Sequence, residues 1–235
     1  MVGLGGGFII VPVLRIAFGL TPAAAAGTSL ALVVANSASA ATTYLLQRRV
    51  DVRLGLLLAA GGLPGSILGA IAVAHLAPRV FDWAFAALLI GIAADILFRR
   101  RKLIANQQTA AMPRGMAWPN AIVAGFGVGL VSSLFGVGGG VVLVPILIYA
   151  STLPAHAISA TSQFGILLTA PVGFLAHLAQ RDIDWNLVLP LVAGGALGGP
   201  LGARLSLRLD SARLMVLVAA ALIAAALALV LRHFI

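Results

Sequence analysis

Long apolar runs separated by short polar clusters set the plan of this chain. Ala23 to Leu46 is one such run, closed by Gln47-Arg48-Arg49-Val50-Asp51-Val52-Arg53, and Leu54 to Leu76 is the next. Arg79 and Asp82 mark a short loop before Trp83 to Phe98, which stops at Arg99-Arg100-Arg101-Lys102. A polar stretch without apolar period follows, up to Trp118. The second part of the chain has apolar limbs at 119 to 135 and 141 to 150, then runs from His156 to Leu178, Trp185 to Leu207 and Ala212 to Leu231. A helix needs about 20 apolar residues to cross roughly 30 Å of hydrocarbon. The long runs therefore predict membrane helices, and the short limb Phe8 to Phe18 predicts an element that stops part-way.

Two of these runs are interrupted by glycine in the same way. Gly3-Leu4-Gly5-Gly6-Gly7 leads to Pro12, and Gly136-Val137-Gly138-Gly139-Gly140 leads to Pro145, 133 residues later. The same displacement carries Thr28-Ser29 onto Thr161-Ser162, Gln47-Arg48 onto Gln180-Arg181, Asp51 onto Asp184, and Gly61-Gly62 onto Gly194-Gly195. So many coincidences in one register predict an internal duplication. The expected organisation is a first membrane repeat over 1–98, a cytoplasmic linker over 99–117 and a second membrane repeat over 118–235. Pro119 to Phe135 has no counterpart before Gly3, so the front limb of the first repeat is expected to be lost or to lie upstream. Basic residues collect on the cytoplasmic side, which puts the loop at 48 to 53 and the linker there. Residues 119 to 150 would run about 48 Å as one helix, too long for a single crossing. An in-and-out hairpin, and with it inverted repeats, is favoured over parallel ones.

Composition narrows the class further. With 61% hydrophobic and 9% charged residues among 235, and a mean hydropathy of +1.11, the chain lacks the charged surface of a soluble domain. The expected fold is an all-α polytopic membrane protein with two homologous repeats and Gly-interrupted helices, multi-pass in the cell (inner) membrane. A net charge of +9 raises nucleic acid as a partner. The basic residues lie between apolar runs, which argues for topology and against nucleic acid. Cysteine is absent, so no thiolate metal site or thiol nucleophile arises.

The glycine breaks carry the candidate chemistry. Glycine admits positive φ and leaves amides unshielded, Pro12 and Pro145 fix where each following helix begins, and a helix N-terminus attracts anions. Candidate substrate ligands are Gly5, Gly6 and Gly7, with Gly138, Gly139 and Gly140. Thr28, Ser29, Thr161 and Ser162 add hydroxyls, Gln163 an amide, and Asn36 extends the Ser29 face by two turns. The plainer reading has the hydroxyls bonded to their own helices and the glycines packing helices closely; the latter is preferred for Gly61, Gly62, Gly65 and Gly69 and for Gly194, Gly195, Gly198 and Gly202. Arg48 and Arg181 close matched helices as gating or attracting charges, or as plain anchors. The histidines, His156 and His177 among them, read as interfacial residues, with proton carriage as the alternative. There is no glutamate, and the aspartates lie in or near loops, whereas cation pumps carry ionisable groups deep in the membrane. Catalytic residues, a bound metal and a cofactor are not expected. An intramembrane hydrolase using Ser132, Ser133, His156 and His177 is the rival reading, and a structural subunit without substrate is the third.

The repeated GxGGG with its following proline, Thr28-Ser29-Leu30 and Thr161-Ser162-Gln163, and Arg-x-Val-Asp and Arg-Asp-Ile-Asp after the next helix resemble the sulfite exporter TauE/SafE family over nearly the whole chain. The resemblance implies a permease for small sulfur-containing or organic anions such as sulfite or a sulfonate. It further implies secondary transport, with a proton or sodium as the coupling ion. The bilayer is the expected surrounding, and a homo-oligomer is compatible with it.

Overall fold

The computed structural model describes residues 7–105, 116–151, 153–206 and 211–232, and it is helical throughout them. The helices are α1 (Gly7–Ala17), α2 (Pro22–Leu46), α3 (Val52–Ala74), α4 (Pro78–Ala105), α5 (Trp118–Phe135), α6 (Gly140–Ala150), α7 (Ala155–Ala179), α8 (Trp185–Ser206) and α9 (Ser211–Leu231). The helix starts at 22 and 52 recur at 155 and 185, 133 residues later, and the described parts of α1 and α9 overlap α6 and α4 under the same displacement. Five helices among the described residues are long and apolar enough to cross a membrane: α2, α3, α4, α5 and α7. With 11 residues, α6 reaches only about 16 Å, half of a bilayer core, and the described part of α1 is equally long.

Local chemistry explains the ends. Thr21 caps α2 by accepting the Ala24 N–H, with Pro22 in the first helical position, and Asp51 caps α3 by accepting the Leu54 N–H. The loop expected at Arg79 and Asp82 is instead the opening of α4, which begins at Pro78. The basic cluster after Phe98 continues this helix to Ala105, since arginine, lysine and leucine are good helix formers.

Hydrophobic burial does not drive helices together in lipid, so close packing of small residues must. Between α3 and α5 the backbones almost touch: a methyl group on Gly61 would strike the Ile122 carbonyl, on Gly65 the Phe126 carbonyl, and on Gly69 the Leu130 carbonyl. From the other side, Gly125 meets Leu58 and Gly129 meets Gly62. This is the packing expected of Gly61, Gly65 and Gly69, and Gly62 is likewise closed, against Thr169. In α8 the mate Gly195 abuts Leu32, while Gly194 faces open space; the surroundings of Gly198 and Gly202 lie outside the described residues.

α7 lies at the centre, in contact with α2, α3, α5 and α6, while α4 pairs with α9 and α1 rests on α2 and α9. α2 and α7 run antiparallel. Gly27, near the start of α2, packs on His177 at the end of α7, and Thr161, near the start of α7, bonds to Asp51 just past the end of α2. A second core joins α1, α4 and α9 around Phe81, Phe85 and Phe135, whose ring centroids lie 5.1 to 5.8 Å apart. Phe135 is the last residue of α5, so the helix is anchored where its break begins.

Candidate functional site

α5 stops because its next residues leave helical space. Gly136 has φ +66°, Gly138 +75° and Gly139 +48°, all in the left-handed region that suits glycine. Gly139 then caps α6. The Gly140 N–H turns back to the Gly138 carbonyl, and the Val142 and Leu143 N–H groups bond to the Gly139 carbonyl at 3.1 and 2.7 Å. Several amides near this helix start are thus already engaged within the turn. The break is packed closely on α2: a methyl on Gly136 would lie 2.6 Å from Ala26, and one on Gly138 would strike Val33.

The other break reaches the same place. A methyl on Gly7, the first residue of α1, would lie 2.5 Å from the Gly136 carbonyl oxygen and 2.9 Å from Val137 Cα. The N-termini of two half-length helices, α1 and α6, therefore converge on residues 136–140. Gly7, Gly138, Gly139 and Gly140 are all buried; Gly5 and Gly6 lie outside the described residues. Beside Gly139 is an apolar niche lined by Leu58, Val128, Leu143 and Ile166 among others, of about 10 Å³, which is room for roughly one water.

The four hydroxyl residues are completely buried, and each now has a definite position. Thr28 Oγ1 accepts the Asp184 N–H at 3.0 Å, and Thr161 Oγ1 accepts the Asp51 N–H at 3.0 Å. These bonds are reciprocal under the 133-residue shift. Each threonine spends acceptor capacity on the turn entering a helix of the opposite half, where a backbone donor would otherwise be unpaired. Ser29 Oγ donates to the Gly136 carbonyl at 2.9 Å, tying α2 to the break. Ser162 Oγ has no hydrogen-bond partner among the described residues, and Gly3, which stands to Ser162 as Gly136 stands to Ser29, lies outside them. Gln163 is buried beside it, whereas Asn36 sits on an exposed face.

Arg48 and Arg181 are exposed and share an unusual backbone, with φ +53° and +62°. At each, the following residue's N–H reaches back five places, Arg49 to Tyr44 and Asp182 to His177, while the arginine N–H bonds three places back, to Leu45 and Leu178. This is the helix ending that normally uses glycine. Both halves keep arginine there despite a cost of about 1 kcal/mol or more.

Two constellations were not visible in the sequence pattern. Arg15 and Asp82 form a buried two-pronged pair, 3.0 Å from Nε to Oδ1 and 2.6 Å from a terminal nitrogen to Oδ2. Arg15 also donates to the Leu20 carbonyl at 2.5 Å, and Arg232, just past the end of α9, donates to the Arg15 carbonyl at 2.6 Å, so the C-terminal end of α1 is fixed by α4 and the end of α9. Their counterparts in the second half are Ile148 and Met215, which cannot pair. The partners lie 67 residues apart, beyond any local pattern.

His177, read as interfacial, is instead fully buried. Its Nε2 lies 3.0 Å from the Ser133 carbonyl oxygen, and its Nδ1 faces Asp182 Oδ2 at 3.8 Å. Burial raises the Asp182 carboxyl above its ordinary 3.8, against the opposing pull of His177. Because His177 addresses the carbonyl of Ser133, the pair lacks the hydroxyl-to-imidazole bond that nucleophilic catalysis uses. The side chain of His156 lies outside the described residues. No group of metal-ligating side chains occurs among the described residues.

Residues 1–229 match the family model described as sulfite exporter TauE/SafE. Among curated proteins, the chain is 28% identical over 242 residues to a probable membrane transporter protein, YunE, of Bacillus subtilis (strain 168), covering 95% of this chain and 89% of that one. It is 28% identical over 196 residues to the probable membrane transporter protein YtnM of the same organism, covering 81% and 64%. A probable membrane transporter protein of Xylella fastidiosa (strain 9a5c) is 27% identical over 220 residues, covering 91% and 81%. No solved structure matches.

Proposed function

The chain belongs to the sulfite exporter TauE/SafE family, and from that premise we propose that this multi-pass membrane protein is a secondary transporter of small sulfur-containing or organic anions, built from two inverted repeats. The inverted relation is supported by the equal 133-residue spacing of the starts of α2 and α3 from those of α7 and α8, the antiparallel course of α2 and α7, and the reciprocal threonine bonds. Reciprocity of this kind is what a two-fold axis produces, and an axis across antiparallel membrane helices lies in the membrane plane.

One observation carries the reading of the site: the heads of α1 and α6 meet where Gly7 abuts Gly136. Both half-helix dipoles point their positive ends there, and non-helical backbone at membrane depth is tolerated only within protein or against a watery cavity. Ser29 lies seven residues past Pro22 in α2, about 10 Å along the helix from that end, so the meeting point lies within the length of a helix long enough to span the bilayer. The anion is held there by backbone N–H groups of the breaks, with Ser162 and Gln163 alongside. Thr28, Ser29 and Thr161 shape the frame. Rocking of one repeat against the other gives the anion access to either side. The neutral donors suit an anion without placing a fixed cation in the membrane.

Purified protein in liposomes tests this, with labelled sulfite as the probe. Saturable uptake above protein-free vesicles, competed by a short sulfonate, is the expected result. Vesicles that take up neither anion, with correctly folded protein present, would overturn the assignment.

A further inference from the structure

The breaks account for an anion site but leave His177, Asp182 and Ser133 unused. Ser133 stands three residues before Gly136, in the last turn of α5. Its carbonyl can only accept, so the Nε2 of His177 carries a hydrogen and donates to it. That fixes what the other nitrogen can be. Nδ1 is fully buried and has no hydrogen-bond partner, and the atom it faces, Asp182 Oδ2, is also buried without one. Two acceptors then point at each other across 3.8 Å. A proton on either atom, nitrogen or oxygen, gives the facing acceptor a donor to approach and removes the opposition. Without it, a nitrogen lone pair faces a carboxylate.

We propose that His177 and Asp182 form a single proton-binding site that couples proton movement to anion transport. This deepens the transporter reading above and rests on it. On loading, a proton from water on the acidic side binds to Nδ1 or Oδ2, and the pair passes from net charge −1 to 0. Removing a negative charge favours an anion at the adjacent break, and by reciprocity the anion tightens the hold on the proton. The link to the break is short. The ring is bonded to α5 one turn before Gly136, and Gly27 of α2 packs on it closely enough that a methyl there would lie 3.0 Å from His177 Cβ.

The surroundings add few other charges. α5 has no titratable side chain, and α2 has only Tyr44, at its far end. Of the other helices on α7, α3 carries Arg53 and α6 carries Tyr149, both towards the Thr161 end of α7. In the connecting loop, Arg181 is exposed and Asp184 is tied through its N–H to Thr28. The positions equivalent to His177 and Asp182 in the first half are Tyr44 and Arg49, which cannot form such a pair.

Two measurements on the full-length protein test the proposal. In histidine-labelled protein in detergent, nitrogen NMR followed across pH should show Nδ1 of His177 changing between its proton-bearing and bare signals, with Nε2 protonated throughout. Asp182→Asn should remove that change; an identical titration in Asp182→Asn, or none in the unaltered protein, overturns the site whatever the substrate. In liposomes, an imposed pH gradient should raise labelled sulfite uptake on the order of tenfold. His177→Gln, which keeps a side-chain donor for Ser133, and Asp182→Asn should each bring the ratio with and without gradient to about one. Sulfite uptake indifferent to the gradient, or variants that keep the full ratio, would refute coupling here while leaving the transporter reading intact.

Discussion

Glycine does two different things in this molecule, and the α3–α5 seam and the α5–α6 break show them a few residues apart. In the seam, Gly61, Gly65, Gly125 and Gly129 are helical, and what they exclude is a side chain, because the backbone of the facing helix occupies that space. In the break, Gly136, Gly138 and Gly139 have positive φ, and what they supply is a conformation. Seam glycines are therefore a matter of helix association, and break glycines of where a helix stops and which amides it bares.

The largest effect is expected in the seam. Gly65→Ala would push a methyl into the Phe126 carbonyl, which has no flexible side-chain end to yield, and the helices must separate. A loss of about 1–3 kcal/mol is expected, read as a fall in melting temperature in detergent. An unchanged melting temperature would break the comparison at once. Next comes Thr28→Val, which keeps the shape of the side chain and leaves the Asp184 N–H without its acceptor. A cost of about 1 kcal/mol is expected for a buried unpaired donor, and Thr161→Val should match it through Asp51 if the halves are equivalent. Unequal losses would show that the reciprocal bonds do unequal work. The smallest effect sharpens the contrast from the opposite direction: Arg48→Gly places glycine where the backbone is already left-handed. It should raise stability by up to about 1 kcal/mol, with Arg181→Gly alike, and a fall would indicate that the arginine side chains contribute more than their backbone costs.

The helices and the breaks were legible in the sequence because each depends on local chemistry. Apolar runs closed by arginine clusters mark α2 and α3 to within a few residues, and glycine clusters before Pro12 and Pro145 mark where α1 and α6 begin. Asp82 was misplaced because a carboxylate near Arg79 and Pro78 resembles a loop, and only Arg15, 67 residues away, explains its burial. His177 failed similarly. It lies two residues from the end of α7, where histidines usually meet headgroups, yet Gly27 and Ser133 from two other helices cover it. The hydroxyls of Thr28 and Thr161 were recognised as a matched pair, but their partners are 156 and 110 residues distant, so their part in holding the halves together had no sequence signature.

The central claim is that the meeting point of the two breaks holds the anion, and it is tested most directly by measuring sulfite affinity and melting temperature together for Gly139→Ala and Gly65→Ala. At Gly139 a methyl would meet side chains and no backbone, Val128 at 3.0 Å, Ile166 at 3.5 Å and Ser132 at 3.6 Å, while φ +48° strains it. Gly139→Ala should therefore weaken sulfite binding about tenfold, equivalent to roughly 1.4 kcal/mol, with a modest stability loss of about 1 kcal/mol. Gly65→Ala should lower the melting temperature more and leave the affinity of the folded fraction nearly unchanged. Equal losses of affinity and stability in both variants would contradict the account and place the anion elsewhere.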